Sequence, residues 1–148
     1  LSGESLATIT SLGLAPDELA WVLRAAGTEI LMRTVAKAAR PGGGSSATLY
    51  TSLAQQTAAL APPARDALLE GIGFQLGLRL TPYNPVMLEA LADSQALSDA
   101  LAPAFYAGLA RGYRMRFLEK DYAPPRELSI ERFLPERARA PFRSGLIP

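Results

Sequence analysis

The chain contains no cysteine and no histidine. Without cysteine there are no disulfides, thiolate metal sites or cysteine nucleophiles, and the redox compartment is left undetermined. Without histidine the commonest general base, the commonest metal ligand and any Ser-His-Asp triad are gone, so acid–base chemistry would fall to carboxylates, Lys, Tyr or Arg. A catalytic role is therefore disfavoured, and no cofactor is implied. Long apolar runs are also missing: Arg or Pro interrupts every candidate before the roughly 20 residues that cross a bilayer. The visible chain is read as soluble or peripheral, with a cytoplasmic setting preferred. It opens at Leu1 rather than Met and is read as a processed product or a chain lacking its natural start, with a removed signal or anchor left open.

The chain has 148 residues, 49% of them apolar and 20% charged. That length suits one domain able to bury a core without a metal or disulfide staple. Richness in alanine, leucine and arginine favours helix, and the expected fold is an all-α bundle of five to seven helices. Net charge is only +1, but acids predominate over residues 45–103 and bases over residues 104–148. This polarity is read first as complementarity within the molecule. Nucleic acid is excluded as a partner, because so small a net charge supplies no basic footprint and no recognition motif accompanies it.

Helix signals recur along the first 122 residues, the predicted helical domain. Ser5–Leu12 reads as a short helix stopped at Gly13. Pro16, Asp17 and Glu18 have first-turn character, and Leu19, Val22, Leu23, Ala26 and Ile30 carry a helical period through Gly27 to about Ala39. A break at Gly27 with Thr28 as a cap is the alternative. Residues 40–46, three glycines after a proline, form a flexible linker. Ser46 is placed as the cap of a helix ending near Ala61. Residues 63–80 form the next helix, then Asn84 caps a short one opened by Pro85. A further segment, Gln95–Leu101, precedes a long helix over roughly 103–120. Residues 123–148, with five prolines among arginines, are predicted to form an extended arm. Its apolar anchors are Leu128, Ile130, Phe133 and Phe142, and it is read as wrapping its own domain or engaging another chain.

Two helices share the pattern Gly-x-x-x-Gly, bulky apolar residue, Arg: Gly73 to Arg79 and Gly108 to Arg114. Each interior glycine costs a helix about 0.8–1 kcal/mol against alanine, so Gly71, Gly73, Gly77, Gly108 and Gly112 imply a compensation, most simply close packing. The preferred reading places Gly73, Gly77, Gly108 and Gly112 at a contact of the two helices. A homodimer seam and the floor of a ligand pocket are the alternatives. The shared pattern also suggests an internal pair related by a pseudo-two-fold. Arg111 and Arg114 are i, i+3 neighbours and form the candidate anion site. Phe74, Leu76, Phe105, Tyr106 and Met115 are the candidate apolar pocket. The carboxylate pairs Asp66/Glu70 and Glu89/Asp93 read as solvated faces rather than a metal centre, since the Glu-x-x-His pattern of helical metal sites is absent.

Leu69-Glu-Gly-Ile-Gly-Phe-Gln-Leu-Gly77 resembles a helix of vesicle-tethering (TRAPP-type) subunits and of the related bacterial vinyl-reductase-type ligand-binding domains. The resemblance covers that segment only. It implies a dimerising helical domain or a hydrophobic pocket, and a β-rich segment after the helices, for which residues 121–148 offer no alternating strands. The functional expectation is a non-catalytic interaction or assembly domain that self-associates or binds a protein partner. The alternative is a helical protein that binds a small apolar or anionic molecule.

Overall fold

Proline and acid placement set where the helices begin. In the computed structural model, which describes residues 3–81, 83–117 and 130–147, prolines sit in the first turn of three helices, where the missing N–H is not needed. The elements are α1 (Gly3–Thr10), α2 (Pro16–Ala38), α3 (Ala47–Gln56), α4 (Pro62–Arg79), α5 (Pro85–Asp93), α6 (Ala102–Phe117) and α7 (Glu136–Leu146). Two 3₁₀ turns, Ser94–Ala96 and Ile130–Phe133, complete the order. Among the described residues there is no strand, so the all-α expectation holds.

Local signals resolve mostly as read. Helix α2 runs uninterrupted through Gly27, and Thr28 donates its hydroxyl to the Ala25 carbonyl inside the helix rather than capping a new one. The Asn84 side chain accepts from the Met87 amide at 3.3 Å. Gly42 and Gly44 in the linker have φ of 72° and 86°, a left-handed geometry that few other residues tolerate. Ser46 departs from its expected role. Its hydroxyl donates to Asp93 at 2.5 Å, and Ser45 accepts from the Ala47 amide instead. This ties the start of α3 to the end of α5.

Helices α2, α4, α6 and α7 lie in a row, each packed on the next. At the α4–α6 contact, a Cβ added to Gly73 would collide with the Phe105 carbonyl and lie 2.9 Å from the Leu109 amide nitrogen. One added to Gly77 would meet Leu109 and Tyr113 in the same way. Conversely, Gly108 lies on the Glu70 backbone and Gly112 on Phe74 and Leu78. Residue numbers rise together on both sides, so the two helices run parallel. Superposing Gly73 on Gly108 and Gly77 on Gly112 exchanges the two sets of neighbours, so the contact has the reciprocity of a local two-fold. Gly71 and Gly27 repeat the device between α4 and α2, against the Arg24 backbone and the Leu68–Ile72 backbone respectively.

Helices α3 and α5 and the two turns cover one side of this row. Tyr50 of α3 meets Phe105 edge-on at 5.6 Å, and Leu53, Met87, Leu91, Leu97, Leu101, Ile130 and Leu134 are buried in the same core.

The extended arm is corrected over its described part, because Glu136–Leu146 is a helix despite Pro141 in its interior. An interior proline costs about 3 kcal/mol. Ala138, Phe142 and Gly145, spaced i, i+4 and i+7, are buried; Gly145 lies against Ala107 and Ala110 of α6, and Phe142 lies 5.9 Å from the Tyr113 ring. Burial of that stripe offsets the proline. Arg137 holds the helix start by donating to the Leu97 carbonyl at 2.8 Å and pairing with Asp99 at 2.7 Å. Ile130 and Phe142 are therefore anchors within the chain's own core, Phe133 is partly exposed, and Leu128 lies outside the described residues.

Alanine at Gly73 or Gly108 should lower unfolding free energy by about 1–3 kcal/mol, because overpacking exceeds the propensity gain of about 1 kcal/mol. Urea unfolding measures this. A gain in stability at both positions would mean that the helices do not approach backbone to backbone.

Candidate functional site

Residues of α4 point two ways. Each helical residue turns about 100° from the last, so Glu70 and Phe74 face away from Ile72 and Leu76, which are fully buried in the core. The outward face forms the bottom of a groove of about 370 Å³, whose walls among the described residues come from α2 and α6. Gly71 and Gly108 floor it, Phe74 lines it, and Trp21, Ala25 and Thr28 rise on the α2 side. The glycines matter twice. They let the helices close together, and by offering no side chain they leave the groove hollow.

Glu70 sits in the middle of that floor. Its Oε2 accepts from Arg24 Nε of α2 and from Arg111 Nη1 of α6, each at 3.1 Å. Ion pairs this accessible each contribute about 0–1 kcal/mol to stability. Their larger effect is positional: one carboxylate fixes two guanidinium groups across three helices, leaving a net positive charge in an otherwise apolar hollow. Trp21 on the rim is 71% exposed. Its other side borders a second apolar concavity lined by Leu14, Asp17, Glu18 and Val22. An exposed tryptophan between two hollows is unusual for a side chain that is normally well buried.

Of the predicted site residues, the structure brings Gly108, Arg111 and Phe74 together in the groove, while Gly73, Gly77 and Gly112 serve the α4–α6 contact. The predicted pocket does not form. Leu76, Phe105 and Tyr106 are fully buried on the faces turned toward the core, and Met115 is half exposed. The cause is the phase of the helices: Phe74 is two residues from Leu76 and so lies on the opposite face. Of the two arginines of the candidate anion site, Arg111 lines the groove, paired with Glu70, and Arg114 does not line it. Trp21, Arg24 and Glu70 were the residues missed. Trp21 falls off the apolar stripe of α2 formed by Leu19, Leu23, Ala26 and Ile30, which was the available signal.

Among the described residues, no cluster of carboxylates could hold a metal ion, and no helix is long and apolar enough to cross a membrane. Asp66 pairs with Arg65 at 3.3 Å, and Asp93 accepts from both Ser45 and Ser46.

The buried polar groups lie on the covered side and tie elements together. Ser94 donates to the Leu91 carbonyl and accepts from the Tyr106 hydroxyl at 2.8 Å. The Tyr50 hydroxyl is buried with no hydrogen-bond partner among the described residues. Burial raises the pKa of Tyr50, reinforced by Tyr106 and Asp93; burial also raises that of Tyr106 against the lowering pull of Ser94 and Arg137, and that of Tyr113.

Opposite responses follow at the two hydroxyls. Tyr50→Phe should be neutral or stabilising by about 1 kcal/mol, since it removes an unsatisfied group, whereas Tyr106→Phe should cost about 1 kcal/mol for the bond to Ser94. Both are read by thermal or urea unfolding, and equal losses would contradict the assignment. Because the folded pKa values are raised, stability is complete below the unfolded phenol value near pH 10. It falls as pH rises above that, by at most about 1.4 kcal/mol per pH unit for Tyr50, until the folded pKa is reached. Tyr50→Phe should flatten that alkaline decline, and an unchanged slope would contradict it.

Comparison with family models, with curated proteins and with solved structures finds no match for this chain.

Proposed function

We propose that the chain is a non-catalytic assembly domain that self-associates through the open side of its helix row, with Trp21 as the central anchor. The observation that carries this reading is the exposure of Trp21 between two apolar hollows, a projection beside the concavities that can receive it. Tryptophan at such a place buries a large apolar surface on contact and dominates interface energetics. The expectation of assembly is kept, but its surface changes. The glycine strips support contacts within one chain, and the surface left for a partner is the groove those contacts create.

The chemistry of the groove favours a second reading, a small apolar ligand with an acidic head. Its support is the Arg24–Glu70–Arg111 cluster inside an apolar hollow, in a size range that small-molecule sites occupy.

Sedimentation equilibrium separates the two. Self-association predicts a concentration-dependent dimer whose Kd rises about 30-fold or more on Trp21→Glu, with the helical circular dichroism spectrum unchanged. A monomer at every concentration overturns the first reading. Native mass spectrometry showing one small molecule per monomer would put the second in its place.

A further inference from the structure

We infer that the self-associated form is an antiparallel homodimer in which a two-fold axis passes beside Trp21 and pairs the α2 helix of one copy with the α2 helix of the other. The inference rests on the self-association reading and adds the partner's register.

Charge placement along α2 carries the argument. Positions three, four and seven residues away on either side of a helical residue share its face. About Trp21 these are Glu18 and Arg24, Asp17 and Ala25, and, just ahead of the helix on one side, Leu14 with Thr28. Asp17, Glu18 and Leu14 line the hollow on one side of Trp21, whereas Arg24, Ala25 and Thr28 line the groove on the other. An antiparallel crossing centred on Trp21 therefore lays the hollow of each copy, with Asp17 and Glu18 in its lining, over the groove of the other, with Arg24 in its lining.

The register then gives one set of contacts, made twice. Glu18 faces the second copy's Arg24, which stays half exposed despite its bond to Glu70. Asp17 faces the second copy's Ala25, a small residue that lets the helices approach. Leu14 faces Thr28 at the apolar end. A two-fold interface must be self-complementary in this way, each residue i meeting j while j meets i. A parallel crossing would oppose Glu18 to Glu18 and Arg24 to Arg24, and like charges in opposition count against it.

Thiol crosslinking tests the register cleanly, since the chain has no cysteine of its own. Asp17→Cys and Ala25→Cys proteins are mixed and mildly oxidised. The antiparallel register places the thiol introduced at position 17 of one copy near the thiol introduced at position 25 of the other. Like positions lie eight helical residues apart, about 12 Å along the axis and beyond disulfide reach. A predominant mixed disulfide between positions 17 and 25 is expected, with little crosslinking of either protein alone. A charge variant checks the same pairing. Glu18→Arg should weaken the dimer about tenfold, because it opposes two cations where the register pairs Glu18 with Arg24.

A dimer that depends on Trp21 but gives no crosslink between positions 17 and 25, or is unaffected by Glu18→Arg, overturns the register and leaves the self-association reading standing. A protein that remains monomeric at all concentrations overturns both.

Discussion

Backbone-to-backbone contact of α4 with α6 is the constraint on which the other features depend. Gly73 and Gly77 lie on the α6 backbone while Gly108 and Gly112 lie on the α4 backbone, and no side chain fits between them. Four interior glycines cost the isolated helices about 0.8–1 kcal/mol each. The contact must offset that through dispersion between closely apposed backbones and through burial of flanking residues such as Leu76 and Leu109. Gly27 and Gly71 extend the same solution to α2. A row of helices this tightly apposed has few ways to slide, and it fixes where every outward side chain emerges.

Two sides of that row have different fates. One is covered by α3, α5 and the 3₁₀ turns, with Tyr50, Phe105 and Tyr106 in the core and Ser94, Asp93 and Arg137 tying helix ends to neighbouring elements. On the other, α2 and α6 stand on either side of α4, and the glycines that draw them together leave the hollow bearing Glu70 and its two arginines. The proposed assembly surface is thus a by-product of the packing contact. The same residues that hold the fold together shape what a second molecule would meet.

Much of the fold was legible because its signals are local. Prolines in first turns, the Asn84 cap, the linker glycines and the paired glycine pattern each act over a few residues. Helix α7 was obscured by Pro141 and the surrounding arginines. Its stripe of Ala138, Phe142 and Gly145 gains its stabilisation only once α6 is present to receive it. The groove was legible only in part: Arg111 and Phe74 carried signals of their own, but their neighbours Trp21 and Arg24 belong to a helix far away in the chain. Leu76, Phe105 and Tyr106 were assigned to a pocket because apolar residues that fill a core and those that line a hollow look alike until the helix phases are fixed. No local pattern distinguishes them.

Native-state hydrogen exchange tests the central claim most directly. If the glycine contact is the foundation of the fold, the slowest amides should be those of α4 and α6 at the crossing, including Ile72, Leu109 and Tyr113, and they should exchange only through global unfolding. Amides there that exchange at low free energy while α3 and α5 stay protected would contradict it, and would place the foundation of the fold on the covered side instead.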